Sequence, residues 1–435
     1  MRTLTSVLAF SLFLGAAGCG EGGSDLSASD SDPDRSEKTD SHEESIAVGE
    51  PNGNGSDPMA HIAYLASDTM KGRNSPSADL NNAATYIKAF LSTNGLTGPN
   101  PGDTNGPYAQ TFTVLSFTEA GLAAHDPHDP HDHGDDAART HASAFGVELF
   151  EEAFFLDDQM SLGARQVVDL RYEQAMKAKG KTVAALKPGA LRSVKELSSE
   201  ALLAGPVQNV LGTLTGTGLK SNEVILVMAH LDHIGTTTGG VVYNGADDNA
   251  SGSATILSAI PALAAAQQAG QLNRSVLFFW TAGEEKGLLG AQYFVDHPIA
   301  GIGLSNIVGV VNMDMVGRWD DQRLSVIDTN LAGTPNYLRT ILESSNAALP
   351  DPFNTLNRDI MSYIDRQDGW PFLNAGEDVL FVFEGLSNAA GGGSLNADYH
   401  ATGDDIDKII QDNGGNKPRR VRDLLVGIVK QAANR

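Results

Sequence analysis

A three-layer α/β/α fold around a mostly parallel or mixed central sheet, with an insertion, is what this 435-residue sequence predicts. Two observations carry the prediction. From residue 206 onward, short apolar runs alternate with helical patterns. Metal-ligand side chains gather just past the ends of those runs, where sites collect in open α/β sheets.

The runs at 224–228, 276–280, 307–311 and 379–383 are β-branched or aromatic and continuously apolar, as suits strands buried on both faces. Helical patterns lie between them at 251–268, 288–296 and 335–348. Pro261 falls inside the first, so a kink or local irregularity is expected there. Upstream, 59–70 reads as a short amphipathic helix. At 79–94 the signal is stronger: Leu80, Ala83, Ala84, Ile87, Phe90 and Leu91 form one stripe, and Gly95 stands at the C′ position. Gly212, Gly216, Gly218 and Lys220 superficially resemble a phosphate loop. The Gly-Lys-Ser/Thr ending is missing and a strand follows, so a strand–turn–strand is expected instead.

Five segments are expected along the chain. Residues 1–18 read as a signal peptide: a basic start at Arg2, an apolar run over 4–14, then Ala16, Ala17 and Gly18. Cys19, the chain's one cysteine, follows them as the lipidated residue follows a bacterial lipobox, although Ala16 stands where Leu is usual. The expectation is an exported protein, lipid-anchored in a bacterial envelope, at the outer membrane or facing the periplasm in a Gram-negative cell. Residues 19–57 are Ser, Asp, Glu and Gly with few apolar residues, as in a disordered acidic tether. Residues 58–112 are the N-terminal part of the folded domain, 113–205 an insertion and 206–435 the core. The insertion contains the His-Asp-Pro run 125–133, read as a solvated loop, and helical propensity over 164–204, interrupted near Gly180 and Pro188.

Composition excludes several functions. Net charge is −24, so phosphate-backbone binding, and with it nucleic acid as a partner, is set aside. With one cysteine, no intrachain disulfide supports the fold. No segment after the leader is apolar and long enough to span a bilayer, so membrane association would run only through Cys19.

Five short motifs carry the chemistry: Ala229-His230-Leu231-Asp232-His233, Asp247-Asp248-Asn249-Ala250-Ser251-Gly252, Ala282-Gly283-Glu284-Glu285, Asn312-Met313-Asp314 and Asp398-Tyr399-His400. Two His, two or more Asp and a Glu suit a pair of divalent cations, zinc above all. His230 follows a buried strand, and the Asp232 carboxylate is expected to hold its other ring nitrogen. Asp248, on a turn before a helix, is the preferred bridge between two cations, one oxygen to each. Asp247 competes with it, or else caps that helix. One of Glu284 and Glu285 can bind metal while the other reaches a water and acts as base. Asp314 is a carboxylate after an apolar strand, where an unpaired charge is unfavourable. Tyr399 can donate to a developing oxyanion. His61, His141, His233 and His297 are read as structural or surface residues; among them His233 is the most suspect, from its neighbours. A spare acid beside a ligand acid reads as a hydrolase.

Taken together, these motifs resemble metallopeptidase family 28, the co-catalytic di-zinc aminopeptidases and their relatives, over roughly 58–112 and 206–435. The resemblance implies a zinc-exopeptidase-like core with two Zn2+. His230 and Asp314 would hold one cation, Glu285 and His400 the other, with Asp248 between them. Glu284 would be the general base, Asp232 a partner of His230, and Tyr399 the oxyanion donor. Peptides would be the substrates and an aminopeptidase the activity, working through a hydroxide held between the cations. A carboxypeptidase or dipeptidase of the same family, or a single-zinc glutaminyl cyclase, is the alternative. A non-catalytic binding protein on this fold would have lost ligands, and a His-rich metal store would use 125–133. The chain departs from the family at Gln367-Asp368-Gly369, where relatives carry Ser-Asp-His. Residues 113–205 stand where relatives have a protease-associated domain but lack its strand-rich pattern. Glu284, Asp314 and Asp368 are candidates to meet a free α-amine.

Overall fold

A computed structural model describes residues 55–116, 153–156, 203–237, 239–387 and 394–435. The leader, Cys19, nearly all of the tether, the His-Asp-Pro run and most of the proposed insertion lie outside them. Nine described strands form one sheet: β1 (Ala109–Ser116), β2 (Ala153–Leu156), β3 (Leu203–Leu214), β4 (Val224–His230), β5 (Ser275–Thr281), β6 (Ile307–Met313), β7 (Arg323–Ile327), β8 (Thr355–Asn357) and β9 (Val379–Phe383). Their order is β2-β1-β3-β5-β4-β6-β9-β7-β8. The central four, β5, β4, β6 and β9, run parallel. β3 and β1 extend one side antiparallel, as does β7 on the other. The sheet is therefore mixed, as expected.

Eight α-helices accompany it among the described residues: α1 (Pro58–Leu65), α2 (Ala78–Thr93), α3 (Gly252–Gln268), α4 (Leu289–Asp296), α5 (Tyr337–Ala347), α6 (Trp370–Ala375), α7 (Ile406–Asn413) and α8 (Asn416–Asn434). Strand alternation sorts the layers. Ile225, Val227 and Ala229 of β4 join an apolar cluster with residues of α1, α2, α3, α5 and α8. Val224, Leu226 and Met228 point the other way, into a cluster with Ala291 and Phe294 of α4 and Phe372 and Leu373 of α6. Every residue of β4 and β5 is buried, which is why both read as unbroken apolar runs.

The expected central strands and helices are present, with three differences. The helix expected over 59–70 ends at Leu65. The chain then enters a turn over Asp68–Arg73, where Lys71, Gly72 and Arg73 take positive φ. Gly72 lies so close to the carbonyl of Gly235 that a side chain has no room there. α3 continues through Pro261, and the irregularity falls instead just before the helix, at Asp248 (φ −102°, ψ 97°) and Asn249 (φ −127°, ψ 49°). Finally, the sheet reaches into the segment read as an insertion. β1 runs past residue 113, β3 begins before 206, and β2 lies between them. A four-residue strand is too short to stand out by periodicity.

The described residues include no helix long and apolar enough to cross a membrane.

Candidate metal centre

The parallel strands end together; three of the five motifs follow those ends, and the other two reach the same place from a turn and a loop. His230 is the last residue of β4, Glu284 and Glu285 sit on a short turn after β5, and Asp314 follows β6. Asp248 arrives on the turn before α3, and His400 on the loop before α7. Their side chains form a continuous chain of contacts. His230 Nε2 lies 3.2 Å from Asp314 Oδ1 and 3.2 Å from Asp248 Oδ1. The other oxygen, Asp248 Oδ2, lies 3.2 Å from His400 Nε2, which is 2.9 Å from Glu285 Oε2. Glu285 Oε1 is 2.8 Å from His233 Nδ1.

Two groups of potential ligand atoms result: His230, Glu284 and Asp314 in one, and His233, Asp248, Glu285 and His400 in the other. Asp248 also presents an oxygen to the first. The donor set fits zinc, which takes imidazole nitrogen and carboxylate oxygen. Bonds of about 2.0–2.1 Å place tetrahedral ligand atoms about 3.3 Å apart, close to the spacings seen. A second observation agrees. His400 Nε2 is buried near two carboxylates yet makes no well-aligned hydrogen bond to either, as expected of atoms that converge on a common point.

The surroundings hold these side chains in place. Asp404 accepts the backbone N–H of Asp247 at 2.9 Å with one carboxylate oxygen and that of Asp248 at 3.0 Å with the other. Asn249 Oδ1 accepts Gly252 N–H, and its amide donates to the Met313 carbonyl, tying the Asp248 turn to the end of β6. Ser253 Oγ donates to the His230 carbonyl. On the β5 side, Asn209 Oδ1 accepts Ala282 N–H while its amide donates to Gly290, which frames the turn bearing Glu284. Tyr399 stacks on His400 with ring centroids 3.9 Å apart.

All eight expected site residues converge here, but three expectations change. The Asp232 carboxylate makes no hydrogen bond to His230. The Asp232 backbone carbonyl lies 3.1 Å from His230 Nδ1, and the carboxylate instead accepts the N–H of Glu284 at 3.1 Å. With the main chain already beside the ring, the side chain is free to fix the neighbouring turn. Asp247 neither lines a cluster nor caps α3: it accepts the N–H of Gly317 and the amide of Asn396, beside Glu384. His233 is fully buried within the second group. Of the other histidines, buried His61 contacts Tyr86 and the Gly55 carbonyl, His297 stacks on Tyr293, and His141 lies outside the described residues. Asp404, Asn209 and Glu384 are site-supporting residues with no sequence signal of their own, because only the fold brings them here, whereas Asn249 lies within the Asp247–Gly252 motif.

A cleft opens beside the first group. Met315, Tyr363, Phe381, Phe383, Leu395 and Tyr399 line it, Arg366 joins them, and about 430 Å³ of space lies between their atoms, open to solvent. Glu284 and Asp314 reach this cleft. Asp368 stays buried behind it, accepting the Thr281 hydroxyl. Burial, with Asp232 and Asp314 nearby, pushes its carboxyl up to about 7 despite His230. Gln367 accepts from the Asn312 amide and from Gly369 N–H, so the divergent Gln-Asp-Gly segment braces β6.

Residues 209–424, which carry every one of these motifs, match the sequence profile of peptidase family M28. A probable leucine aminopeptidase of Arthroderma otae is 31% identical over 199 residues, 44% of this chain and 50% of the relative. A related protein of Arthroderma benhamiae is 30% identical over the same shares. The chain thus spans about half the length of the curated relatives it matches. Among solved structures, BSAP, a zinc aminopeptidase from Bacillus subtilis, superposes with a TM-score of 0.54 at 17% identity, covering 88% of this chain and 96% of that one. At such identity the likeness shows the fold.

Charges within the site favour protonated imidazoles before any cation binds. Against the effect of burial, Glu285 and Asp248 hold His400 up to about 10. Glu284, Asp314 and Asp248 likewise hold His230 well above its usual value. Both rings are thus protonated at neutral pH and must lose a proton to ligate. Zinc binding to the cation-free protein is therefore expected to release protons and to tighten as pH rises toward 10. Calorimetry at pH 7 in buffers of different ionisation enthalpy measures the release; proton uptake would contradict it. Asp404→Asn replaces one acceptor with a donor facing a backbone N–H. We expect zinc affinity to fall about 10–100-fold in a chelator competition, with the far-UV CD spectrum retained. Unchanged affinity would remove Asp404 from the support of Asp248.

Proposed function

We propose that the protein is a zinc-dependent exopeptidase of the aminopeptidase type, removing N-terminal residues, preferentially apolar ones, from peptides. The observation that carries this reading is the placement of Asp248, with one oxygen in each of two buried imidazole–carboxylate groups at the end of an apolar cleft. The names of the matched fungal relatives, leucine aminopeptidases, support the choice of substrate end.

Two zinc ions held here would lower the pKa of a water molecule and polarise a substrate carbonyl. His230, Asp314 and Asp248 Oδ1 would hold the first; Asp248 Oδ2, Glu285 and His400 would hold the second. The rest of the work belongs to this chain's residues. Glu284 is the general base: its carboxylate takes the proton from the attacking water and returns it to the leaving amine. Burial, together with Glu285, Asp368 and Asp314, raises its carboxyl well above the usual range, against the pull of His230, which favours holding a proton between those steps. Asp232 fixes the backbone from which Glu284 projects. Tyr399 donates its hydroxyl to the carbonyl oxygen as charge develops there. The cleft's apolar lining takes the substrate side chain and excludes water from it. The acidic residues at its inner end, Glu284 and Asp314, favour a free α-ammonium group.

A pool of peptides, half of them N-terminally acetylated, tests the reading with zinc-loaded protein. Stepwise loss of apolar residues from free N-termini is expected, with acetylated peptides intact. Glu284→Ala should keep its zinc while kcat falls about 10²–10⁴-fold. Trimming of both halves from their C-termini would establish a carboxypeptidase instead, and a near-normal rate in the variant would remove Glu284 as base.

We further propose export and lipid attachment at Cys19, supported by the residue types before it. Fatty-acid labelling in a bacterial host should mark the wild type and spare Cys19→Ser. Label on neither protein would contradict it.

A further inference from the structure

With Glu284 set aside as the proposed base, the two ligand groups are unequal, and His233 makes them so. Around the first, His230 Nε2, Asp314 Oδ1 and Asp248 Oδ1 supply three atoms from residues that line the cleft; Glu285 of the second group also lines it, whereas His233 and His400 are not among its lining residues. Around the second, Asp248 Oδ2, His400 Nε2 and Glu285 already supply three, and His233 Nδ1 joins them from the buried side, 2.8 Å from Glu285 Oε1 and 3.8 Å from Asp248 Oδ2. Those two spacings bracket the edge of about 3.3 Å expected between tetrahedral zinc ligands.

The position of the ring is built rather than incidental. His233 is fully buried. Its backbone N–H donates to the Arg73 carbonyl. Its ring lies flush against Gly245, which has φ +59°: a Cβ there would stand 2.6 Å from His233 Cδ2 and 2.7 Å from Cγ. Only a glycine lets the ring in, and the glycine holds Nδ1 toward the cluster. The far nitrogen, Nε2, is buried without a hydrogen-bond partner. A lone hydrogen bond from Nδ1 to Glu285 needs no such packing around the remainder of the ring.

We infer that His233 is a fourth protein ligand of the second cation, through Nδ1, so that this cation sits in a closed shell while the first keeps its open position on the cleft. Four protein ligands are the mark of a zinc site that holds its ion, and three with an open position are the mark of one that works. The inference rests on the two-zinc reading above. It assigns the two ions different tasks: the His230 and Asp314 ion faces Glu284 and substrate, and the His233 and His400 ion anchors Asp248.

Cobalt(II) exchanged into the full chain tests this by proton NMR, because each ligating histidine contributes one strongly shifted, solvent-exchangeable ring N–H signal. Three such signals are expected, from His230, His233 and His400. His233→Asn should lose one, and its more tightly held ion should leave to chelator about 10-fold faster or more. The wild-type count stands alone should the variant fail to fold. Two signals with two cobalt ions bound would overturn His233 as a ligand and leave the two-cation reading intact. Fewer than two bound ions in the wild type would overturn both.

Discussion

Everything in this fold near the carboxyl ends of β4, β5 and β6 is arranged around one carboxylate. Asp248 has to sit, almost without solvent, between two imidazoles and within reach of three other acids. Isolated buried charge is strongly unfavourable, so such a residue persists only if its partners are held as firmly as it is. The chain meets that requirement with backbone, not with rigidity of the side chain. Asp404 clamps the main chain of Asp247 and Asp248 from one side, and Asn249 ties the same turn to the end of β6 from the other. Arg73, fully buried, donates from Nε to the Leu231 carbonyl and from its guanidinium nitrogens to the carbonyls of Leu65, Asn244 and Gly245. One side chain thereby joins the loop after His230 to the loop before Asp248, and brings a positive charge into an acidic neighbourhood.

The support behind the site explains which residues could be read in advance. β4, β5, β6 and β9 are buried on both faces, so their sequences are continuously apolar, and four candidate site residues come at or shortly after the ends of β4, β5 and β6. His230, Glu284, Glu285 and Asp314 were legible for that reason. α2 was legible from its stripe and from Gly95 past its end, and Ser77, which caps its start, could have been read as well. α8 has the same kind of stripe, Val421, Leu424, Leu425, Ile428 and Val429, and could have been read from it. The remaining features depend on folding. Asp404 is an acid in a polar loop until the chain brings it 2.9 Å from the N–H of Asp247. β1 and β3 carry alternating or polar residues, such as Gln110, Gln208 and Asn209, because those amides bond one another and neighbouring elements. The periodicity that marks a buried strand is therefore weak in them. His233 differs again: its type and position were visible, but whether it packs against Gly245 or points to solvent is not a property of spacing.

The same geometry lies within the segment that matches the M28 profile. That segment is residues 209–424, and the strands and turns within that span hold all the candidate ligands. Outside it, residues 55–57 and α1 add packing and anchoring: Asp57 pairs with Arg419 of α8, and the Ser56 carbonyl accepts from Arg422. The N-terminal segment is thus fastened to the last helix, and α1 and α2 lie against the sheet beneath the Arg73 turn.

In the proposed two-zinc site, Asp248 would join two cations, one on each oxygen. Anomalous diffraction at the zinc edge from crystals of the zinc-loaded protein tests it most directly. The account predicts two peaks flanking the Asp248 carboxylate, one beside His230 and Asp314 and the other beside Glu285 and His400. A single peak, or two peaks that do not share Asp248, would contradict it.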